Sequence, residues 1–170
     1  MKRVLVMGNS GSGKSTLARK IAEKLHLPLL HIDQLYWQPN WVATPKDVFI
    51  ARLEQAVDGE EWVIDGNYLS YKEILRKRFE RADIIVFLHF SRTRCFWNVF
   101  MRLWKHRGVV RPDIALGLKE RIDFEFLKYI WNFPRYSHPR IETAIAQYGA
   151  EKKVVRLHNQ TEVKDFLTNL

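Results

Sequence analysis

Eight residues near the start of the chain have the types and spacing needed to hold a chain of phosphates. They match the pattern G-x-x-x-x-G-K-S/T at every position and run Gly8-Asn9-Ser10-Gly11-Ser12-Gly13-Lys14-Ser15, with Thr16 next. Glycines in such a loop allow backbone angles that a Cβ would block, so its N–H groups can turn inward and bind an anion. The lysine of the pattern reaches the β- and γ-phosphates, and the hydroxyl after it binds Mg²⁺. Residues 8–16 therefore predict a site for a nucleoside triphosphate with Mg²⁺.

Two aspartates each follow a short apolar run that is typical of a strand. Asp33 comes after residues 27–32, and Asp65 comes after residues 62–64. Open parallel α/β sheets bind ligands at the carboxyl ends of their strands, which makes both carboxylates candidate site residues. Asp33 suits a substrate hydroxyl, which it would orient or deprotonate, although capping within its own loop explains it equally well. Asp65 suits Mg²⁺ held through water across from Ser15, and the phosphate-binding pattern favours this role over an ordinary Asp-Gly turn.

An aromatic stretch without clear periodicity follows Asp33 over residues 34–41. We predict that it forms a loop lining a pocket. Tyr36, Trp37 and Trp41 could stack on the ring of a ligand. For each of them, covering the hydrophobic core is the slightly favoured interpretation.

Basic and aromatic residues share a predicted helix over residues 92–106. From Ile84 to Pro112 the chain has no acidic residue, whereas it has the cations Arg92, Arg94, Arg102, Lys105, Arg107 and Arg111. Apolar residues cover most of the helix circumference, so the helix cannot lie entirely in water. It could pack into the domain and present arginines to phosphate, form a dimer interface, or bind a membrane surface or nucleic acid. The first is favoured because phosphoryl transfer needs cations over the phosphates.

Helical and strand patterns alternate along the whole chain, with no internal repeat, low-complexity tract or linker. Strands are predicted over residues 3–7, 27–32, 62–65, 83–90 and 152–157. Helices are predicted over residues 16–25, 44–58, 71–81, 92–106, 120–133, 139–148 and 161–170. Pro134 is expected to end one helix and Thr161 to cap the last. This alternation predicts a single α/β domain over residues 1–170 with a parallel sheet.

The composition is that of a globular domain with a basic second half. Hydrophobic residues make up 46% and charged residues 28% of the 170 positions. The net charge of +9 divides into +2 for residues 1–85 and +7 for residues 86–170. Such a balance indicates a polyanionic partner, either nucleic acid or a phosphorylated substrate, or a basic surface that only aids solubility. Cys95 is the only cysteine, which excludes an intrachain disulfide, and no stretch approaches the ~20 apolar residues of a membrane span. We therefore expect a cytoplasmic protein without a membrane partner.

Five segments together resemble the DNA topology modulation proteins of the FlaR type, which are grouped with the adenylate-kinase-like P-loop kinases. The segments are residues 8–16, 31–37, 62–68, 111–113 and 123–128. The resemblance covers nearly the whole chain. It implies a three-layer fold with a five-stranded parallel sheet in the order 2-3-1-4-5. It also implies a small basic helical lid over roughly residues 92–135, between the fourth and fifth strands.

The same resemblance implies roles for individual residues. Arg102, Arg107 and Arg111 fall where such kinases carry the arginines of their lid. His158 and Asn159 fall in the loop that cradles adenine in those kinases.

One segment departs from the adenylate kinase pattern. Asp65-Gly66 resembles the Asp-Gly that ends the third strand of adenylate kinases, but there the chain continues with Phe-Pro-Arg. Here it continues with Asn67-Tyr68-Leu69. The missing arginine argues against a nucleoside monophosphate as acceptor.

Two function hypotheses follow. The favoured one is Mg²⁺-dependent transfer of the ATP γ-phosphoryl group to a small acceptor, nucleoside-like or nucleotide-like or another hydroxylated metabolite. In it Lys14 and the lid arginines stabilise charge, and Asp33 orients a hydroxyl. The alternative is a DNA-binding or DNA-topology-modulating NTPase that uses the basic second half. A monomer and a homodimer are both compatible with the sequence.

Overall fold

The computed structural model describes residues 1–105 and 123–170. Their strands are β1 (Arg3–Gly8), β2 (Leu29–His31), β3 (Trp37–Gln38), β4 (Val42–Ala43), β5 (Trp62–Asp65), β6 (Ile84–Leu88) and β7 (Lys153–Leu157). Their helices are α1 (Lys14–Leu25), α2 (Ile32–Tyr36), α3 (Lys46–Val57), α4 (Lys72–Arg81), α5 (Arg92–Lys105), α6 (Phe124–Tyr148) and α7 (Gln160–Thr168). A 3-10 turn spans Pro39–Trp41.

Five of the strands form one parallel sheet in the order β2-β5-β1-β6-β7. Strands β3 and β4 pair antiparallel in a separate hairpin. When only the five strands of the main sheet are numbered along the chain, their order is 2-3-1-4-5. The predicted fold class and strand order are confirmed. Because all five strands are parallel, the loops that follow their carboxyl ends meet at one edge of the sheet.

Alternate side chains of the central strand β1 enter two separate apolar cores. Leu5 and Met7 pack into the core that α3, α4 and α6 cover. Val4 and Val6 pack into the core that α1 and α7 cover. This arrangement follows from the two-residue period of a strand, and it explains why β1 and β6 are apolar along nearly their whole length.

Helix α6 continues through Pro134 and Pro139, so the prediction that Pro134 ends a helix is wrong. A proline inside a helix lacks the N–H that would bond to the carbonyl four residues earlier. For Pro134 that carbonyl belongs to Ile130, and it accepts a hydrogen bond from Asn9 Nδ2 instead (3.0 Å). A partner outside the helix therefore takes the place of the missing bond.

Two smaller predictions are also wrong. Residues 34–41 are not a plain loop, because they contain the end of α2, strand β3 and the 3-10 turn. Helix α7 is capped by Asn159 and not by Thr161, which lies inside the helix. Asn159 accepts a hydrogen bond from the Glu162 N–H (2.9 Å) and donates one to Glu162 Oε1 (2.6 Å). This reciprocal pairing is a strong start signal one residue before the helix begins.

The predicted lid region, residues 92–135, is described in part. Helix α5 and the first half of α6 fall within it and pack together through Cys95, Val99 and Ile130. Residues 106–122 lie outside the described residues. None of the helices in the two described ranges has the length and apolar character that crossing a bilayer requires.

Candidate functional site

The predicted phosphate-binding residues 8–16 form the end of β1, a loop and the first turn of α1. Gly11 and Gly13 have φ values of 82° and 91°, in the left-handed region that glycine enters without steric cost. Helix α1 begins at Lys14, has no acidic residue in its first turn, and receives no side-chain cap from the described residues. The N–H groups of its first turn and the positive end of its dipole can therefore bind an anion.

Asparagine side chains hold this loop from three directions. Asn67, just after β5, accepts a hydrogen bond from the Gly8 N–H (3.1 Å) and donates one to the Gly8 carbonyl (2.8 Å). Asn98 of α5 donates to the Gly11 carbonyl (2.9 Å). Asn9 donates to the carbonyl that the proline leaves free in α6. The loop conformation therefore depends on three separate elements of the fold.

Helix α5 lies directly against the loop. A Cβ on Gly11 would collide with the carbonyl oxygen of Cys95 and would come within 2.8 Å of Val99 Cγ2. Cys95 and Val99 are both buried, so this side of α5 packs into the domain. The opposite side exposes three large aromatic residues, Trp97, Phe100 and Trp104, at 61%, 57% and 63%.

Asp65 is buried at the end of β5, paired in register with His31 of β2. Its Oδ2 accepts a hydrogen bond from His31 Nδ1 (2.9 Å). Burial alone would raise the pKa of Asp65, but the charge of Lys14 and the neighbouring polar side chains of His31 and Ser15 outweigh burial and lower it. Asp65 is therefore ionised. Its buried Oδ1 has no hydrogen-bond partner among the described residues.

Asp33 lies in α2, immediately after β2, and is half-buried. Its Oδ1 accepts a short hydrogen bond from the Tyr68 hydroxyl (2.6 Å). Burial and then the charge of Asp33 raise the pKa of Tyr68, so this hydroxyl remains a donor. The Tyr68 ring packs on Tyr36 and Phe49, at centroid distances of 5.0 and 5.3 Å. Asp33 is thus oriented by a tyrosine that its aromatic neighbours hold in place.

The aromatic residues after Asp33 pack mainly on one another. Trp37 meets Tyr36 and Trp41 edge to face, at centroid distances of 4.8 and 5.4 Å. Tyr36 also packs against the larger core. The contact of Tyr36 agrees with the interpretation that it covers the core, whereas for Trp37 and Trp41 that interpretation stays a prediction.

Tyr129 of α6 contacts the asparagine that holds the phosphate-binding loop. Its hydroxyl accepts a hydrogen bond from Asn67 Nδ2 (3.2 Å). Burial raises the pKa of Tyr129, the Asn67 hydrogen bond and the charge of Lys14 lower it, and the charge of Asp33 raises it, with a net increase. The Tyr129 hydroxyl therefore lies beside Asn67, the residue that holds Gly8 of the phosphate-binding loop.

The remaining predicted site residues are placed less completely. Arg102 is half-buried in α5, and Arg107 and Arg111 lie outside the described residues. His158 and Asn159 are exposed after β7, and the side chain of Asn159 is engaged in capping α7. The roles of these five residues stay predictions.

Sequence reasoning missed several residues that the structure places at or beneath the site: Asn67, Tyr68, Arg78, Asn98 and Tyr129. Two of them directly follow the Asp-Gly pair, so their nearness to Asp65 was a usable signal. Arg78 interrupts the apolar face of α4, which was a second signal. The two residues on α5 and α6 had none, because only the folded chain brings those helices to the loop.

Comparison with solved structures assigns the architecture. A gluconokinase from Sinorhizobium meliloti 1021 is 20% identical over 99% of this chain and 92% of its own, with a TM-score of 0.55. The fold is that of a P-loop kinase. A shikimate kinase from Bacteroides thetaiotaomicron is 17% identical over 99% of this chain and 95% of its own, with a TM-score of 0.56.

Comparisons of the sequence assign no family. No family model matches the chain, and no curated protein matches its sequence. The P-loop kinase part of the resemblance is thus confirmed at the level of fold. The relation to the DNA topology modulation proteins stays a prediction.

Proposed function

We propose that the protein is an ATP-dependent phosphotransferase that transfers the γ-phosphoryl group to a hydroxyl of a small acceptor. One observation carries the proposal: two carboxylates with different surroundings lie close to the phosphate-binding loop, Asp65 beside Lys14 and Asp33 through Tyr68, the neighbour of the residue that holds Gly8. Asp65 is buried, ionised and influenced by Lys14. Asp33 is half-buried and oriented by Tyr68. Asp65 therefore suits a cation and Asp33 suits an acceptor, because different environments give two carboxylates different roles.

The donor set fits Mg²⁺. Asp65 has an ionised carboxylate with a buried oxygen, Oδ1, that no described residue satisfies, and Ser15 is its neighbour. No cluster of three metal-binding side chains occurs in the described parts of the chain. A site of one carboxylate and one hydroxyl suits Mg²⁺, which keeps waters and takes further ligands from phosphate. Ser15 and Asp65 would hold the ion, and when bound it neutralises charge on the phosphate oxygens.

The residues of the chain would divide the reaction as follows. The N–H groups of residues 8–16 and the ammonium group of Lys14 bind the phosphates and stabilise charge on the transferred group. Asp33 orients the acceptor hydroxyl and takes its proton. Arginines at positions 102, 107 and 111 in the lid region, residues 92–135, supply further positive charge and help to exclude water. The loop at His158 and Asn159 borders the adenine.

A hydroxyl acceptor is favoured over a phosphate acceptor. A carboxylate such as Asp33 repels a phosphate, and a phosphate oxygen needs no base to deprotonate it. Asn67 stands where adenylate kinases continue towards an arginine, and both ends of its amide are engaged with Gly8.

A second candidate is a nucleic-acid-binding NTPase, which corresponds to the predicted relation with DNA topology modulation proteins. The observation that favours it is the exposed aromatic row of α5 in a stretch without acidic residues. Aromatic rings beside arginines suit the bases and backbone of a single strand. Binding of this kind falls steeply with salt.

The test is Mg-ATP turnover, read as ADP release, with nucleosides, nucleoside monophosphates, small hydroxylated metabolites, and single- and double-stranded DNA. Turnover that rises with one small acceptor supports the phosphotransferase. We expect Lys14→Ala to lower it about 10²-fold or more, the cost of losing one preorganised donor. Lys20→Ala, an exposed lysine of the same helix, is the matched control and should leave turnover unchanged. Turnover that rises only with DNA would contradict the proposal and support the second candidate.

A further inference from the structure

Arg78 of α4 is a fully buried arginine whose described partners are all backbone carbonyls. Its Nη1 donates to the Gly66 carbonyl (3.1 Å), and its Nη2 donates to the carbonyls of Asn67 (2.8 Å) and Tyr68 (3.4 Å). The side chain is 0% exposed, and no carboxylate in the described residues pairs with it. Burial lowers the pKa of Arg78 to about 10, which leaves it charged at neutral pH. Burying a cation that no described carboxylate neutralises is costly, and the three carbonyl contacts offset part of that cost.

The three carbonyls belong to consecutive residues with an uncommon backbone. Gly66 has a φ of 143°, and Tyr68 has a φ of 42°, which is rare for an aromatic residue. Such a conformation persists only where the surroundings enforce it. The guanidinium group, with its planar set of donors, binds all three carbonyls at once and enforces it.

The side chains of this segment point to both halves of the candidate site. Asn67 binds both backbone groups of Gly8, at the start of the phosphate-binding loop. Tyr68 binds Asp33, the candidate acceptor residue. Asp65, the candidate metal ligand, directly precedes the segment. One guanidinium group therefore underlies contacts to the nucleotide side and to the acceptor side.

We propose that Arg78 is a positioning residue that sets residues 66–68 so that Asn67 shapes the nucleotide site and Tyr68 aligns Asp33. The inference rests on the proposed function for its acceptor half. Its nucleotide half needs only that the loop binds ATP.

The experiment measures ATP affinity by calorimetry, without acceptor or turnover, at a temperature where all variants are folded. Arg78→Lys keeps the charge but not the planar donors, and Arg76→Lys makes the same change at an exposed position of the same helix. We expect Arg78→Lys to weaken ATP binding about tenfold, the size of one lost charged hydrogen bond. Arg76→Lys should change it less than about twofold.

A double-mutant cycle separates positioning from general destabilisation. If Arg78 acts through Asn67, Arg78→Lys should weaken ATP binding by less than about twofold in an Asn67→Ala background. On the acceptor side, Arg78→Lys should lower kcat/KM for the acceptor, and Tyr68→Phe should mask most of that loss. If Arg78→Lys does not fold, Arg78→Gln, which keeps a donor, takes its place in both cycles.

The outcomes are distinct. Equal ATP affinity of the Arg78→Lys and Arg76→Lys variants, or full additivity with Asn67→Ala, overturns the proposal. If wild-type protein binds ATP but transfers phosphate to no acceptor, the proposed function fails while the ATP cycle still decides the role of Arg78. If wild-type protein does not bind ATP, both proposals fail.

Discussion

Gly11 and Gly13 allow a direct test of how the phosphate-binding loop is supported. Both have positive φ, so alanine at either position adopts a strained left-handed backbone at a cost of about 1–2 kcal/mol. They differ in their surroundings. A Cβ at Gly11 would collide with the Cys95 carbonyl and crowd Val99, whereas a Cβ at Gly13 has no described atom within 4 Å. The pair therefore separates backbone strain from contact with α5.

The expected magnitudes follow from this difference. Gly13→Ala should lower the free energy of unfolding by about 1–2 kcal/mol through backbone strain alone. Gly11→Ala adds the cost of forcing α5 away from the loop, about 1–3 kcal/mol for overpacking, for a total of about 2–5 kcal/mol. Adding Val99→Ala to Gly11→Ala should restore little, because the closest obstacle is the backbone oxygen of Cys95.

The assay is urea unfolding, in which a shift of the midpoint at constant slope reports stability. ATP affinity is measured on the same samples. Since the space beside Gly13 is open, we expect Gly13→Ala to weaken ATP binding more than its small effect on stability would suggest. Equal loss of stability in the two variants, or a larger loss for Gly13→Ala, would refute the contact between α5 and the loop.

Three further predictions address other parts of the fold. Pro134→Ala restores a helical N–H that competes with Asn9 for the Ile130 carbonyl. Thermal unfolding should therefore show equal or higher stability, by up to ~3 kcal/mol, and calorimetry should show weaker ATP binding. Unchanged ATP affinity would count against this competition. Burial raises the pKa of Asp83, but hydrogen bonds from the Lys2 and Arg3 N–H groups and from the Arg3 side chain outweigh burial and lower it. The stability that ionised Asp83 contributes is therefore fully present above its ordinary pKa of about 4, and it is lost as pH falls through the lowered value. Asp83→Asn should cost ~1 kcal/mol of unfolding free energy in urea at pH 7, and this cost should shrink below about pH 4. A difference between the two proteins that does not depend on pH would contradict this. Tyr68→Phe removes the hydrogen bond that orients Asp33 and should lower kcat about tenfold, with ATP affinity unchanged. A change in ATP affinity without a change in kcat would instead assign Tyr68 to the nucleotide site.

The phosphate-binding loop and the strand-end aspartates could be predicted from the residues around them in the sequence. The loop over residues 8–16 needs glycine at fixed positions, and its flanking strand and helix follow from apolar periodicity. Asp33 and Asp65 could be placed at one edge because parallel strands end together. The strand order came with the family resemblance, which the sheet matches.

Contacts between distant segments decided what the sequence did not predict. Pro134 ends a helix by the usual local rule, but Asn9 satisfies the carbonyl that the proline leaves free, and the helix runs on. Arg78 is of a type that is usually exposed, and its burial depends on carbonyls that only the folded loop presents. Neither partner can be inferred from the residues next to it in the chain.

The burial of Cys95, on the side of α5 that packs with Phe90 and Ile130, makes this residue a probe of local opening. It is the only cysteine in the sequence, it is fully buried, and burial raises the pKa of its thiol to about 11. An alkylating reagent needs an accessible thiolate, so it reacts only when α5 transiently moves away from the residues that cover the thiol. The labelling rate of the unmodified chain thus measures the free energy of that opening. A slower rate with nucleotide present would report how firmly a filled loop holds the helix closed.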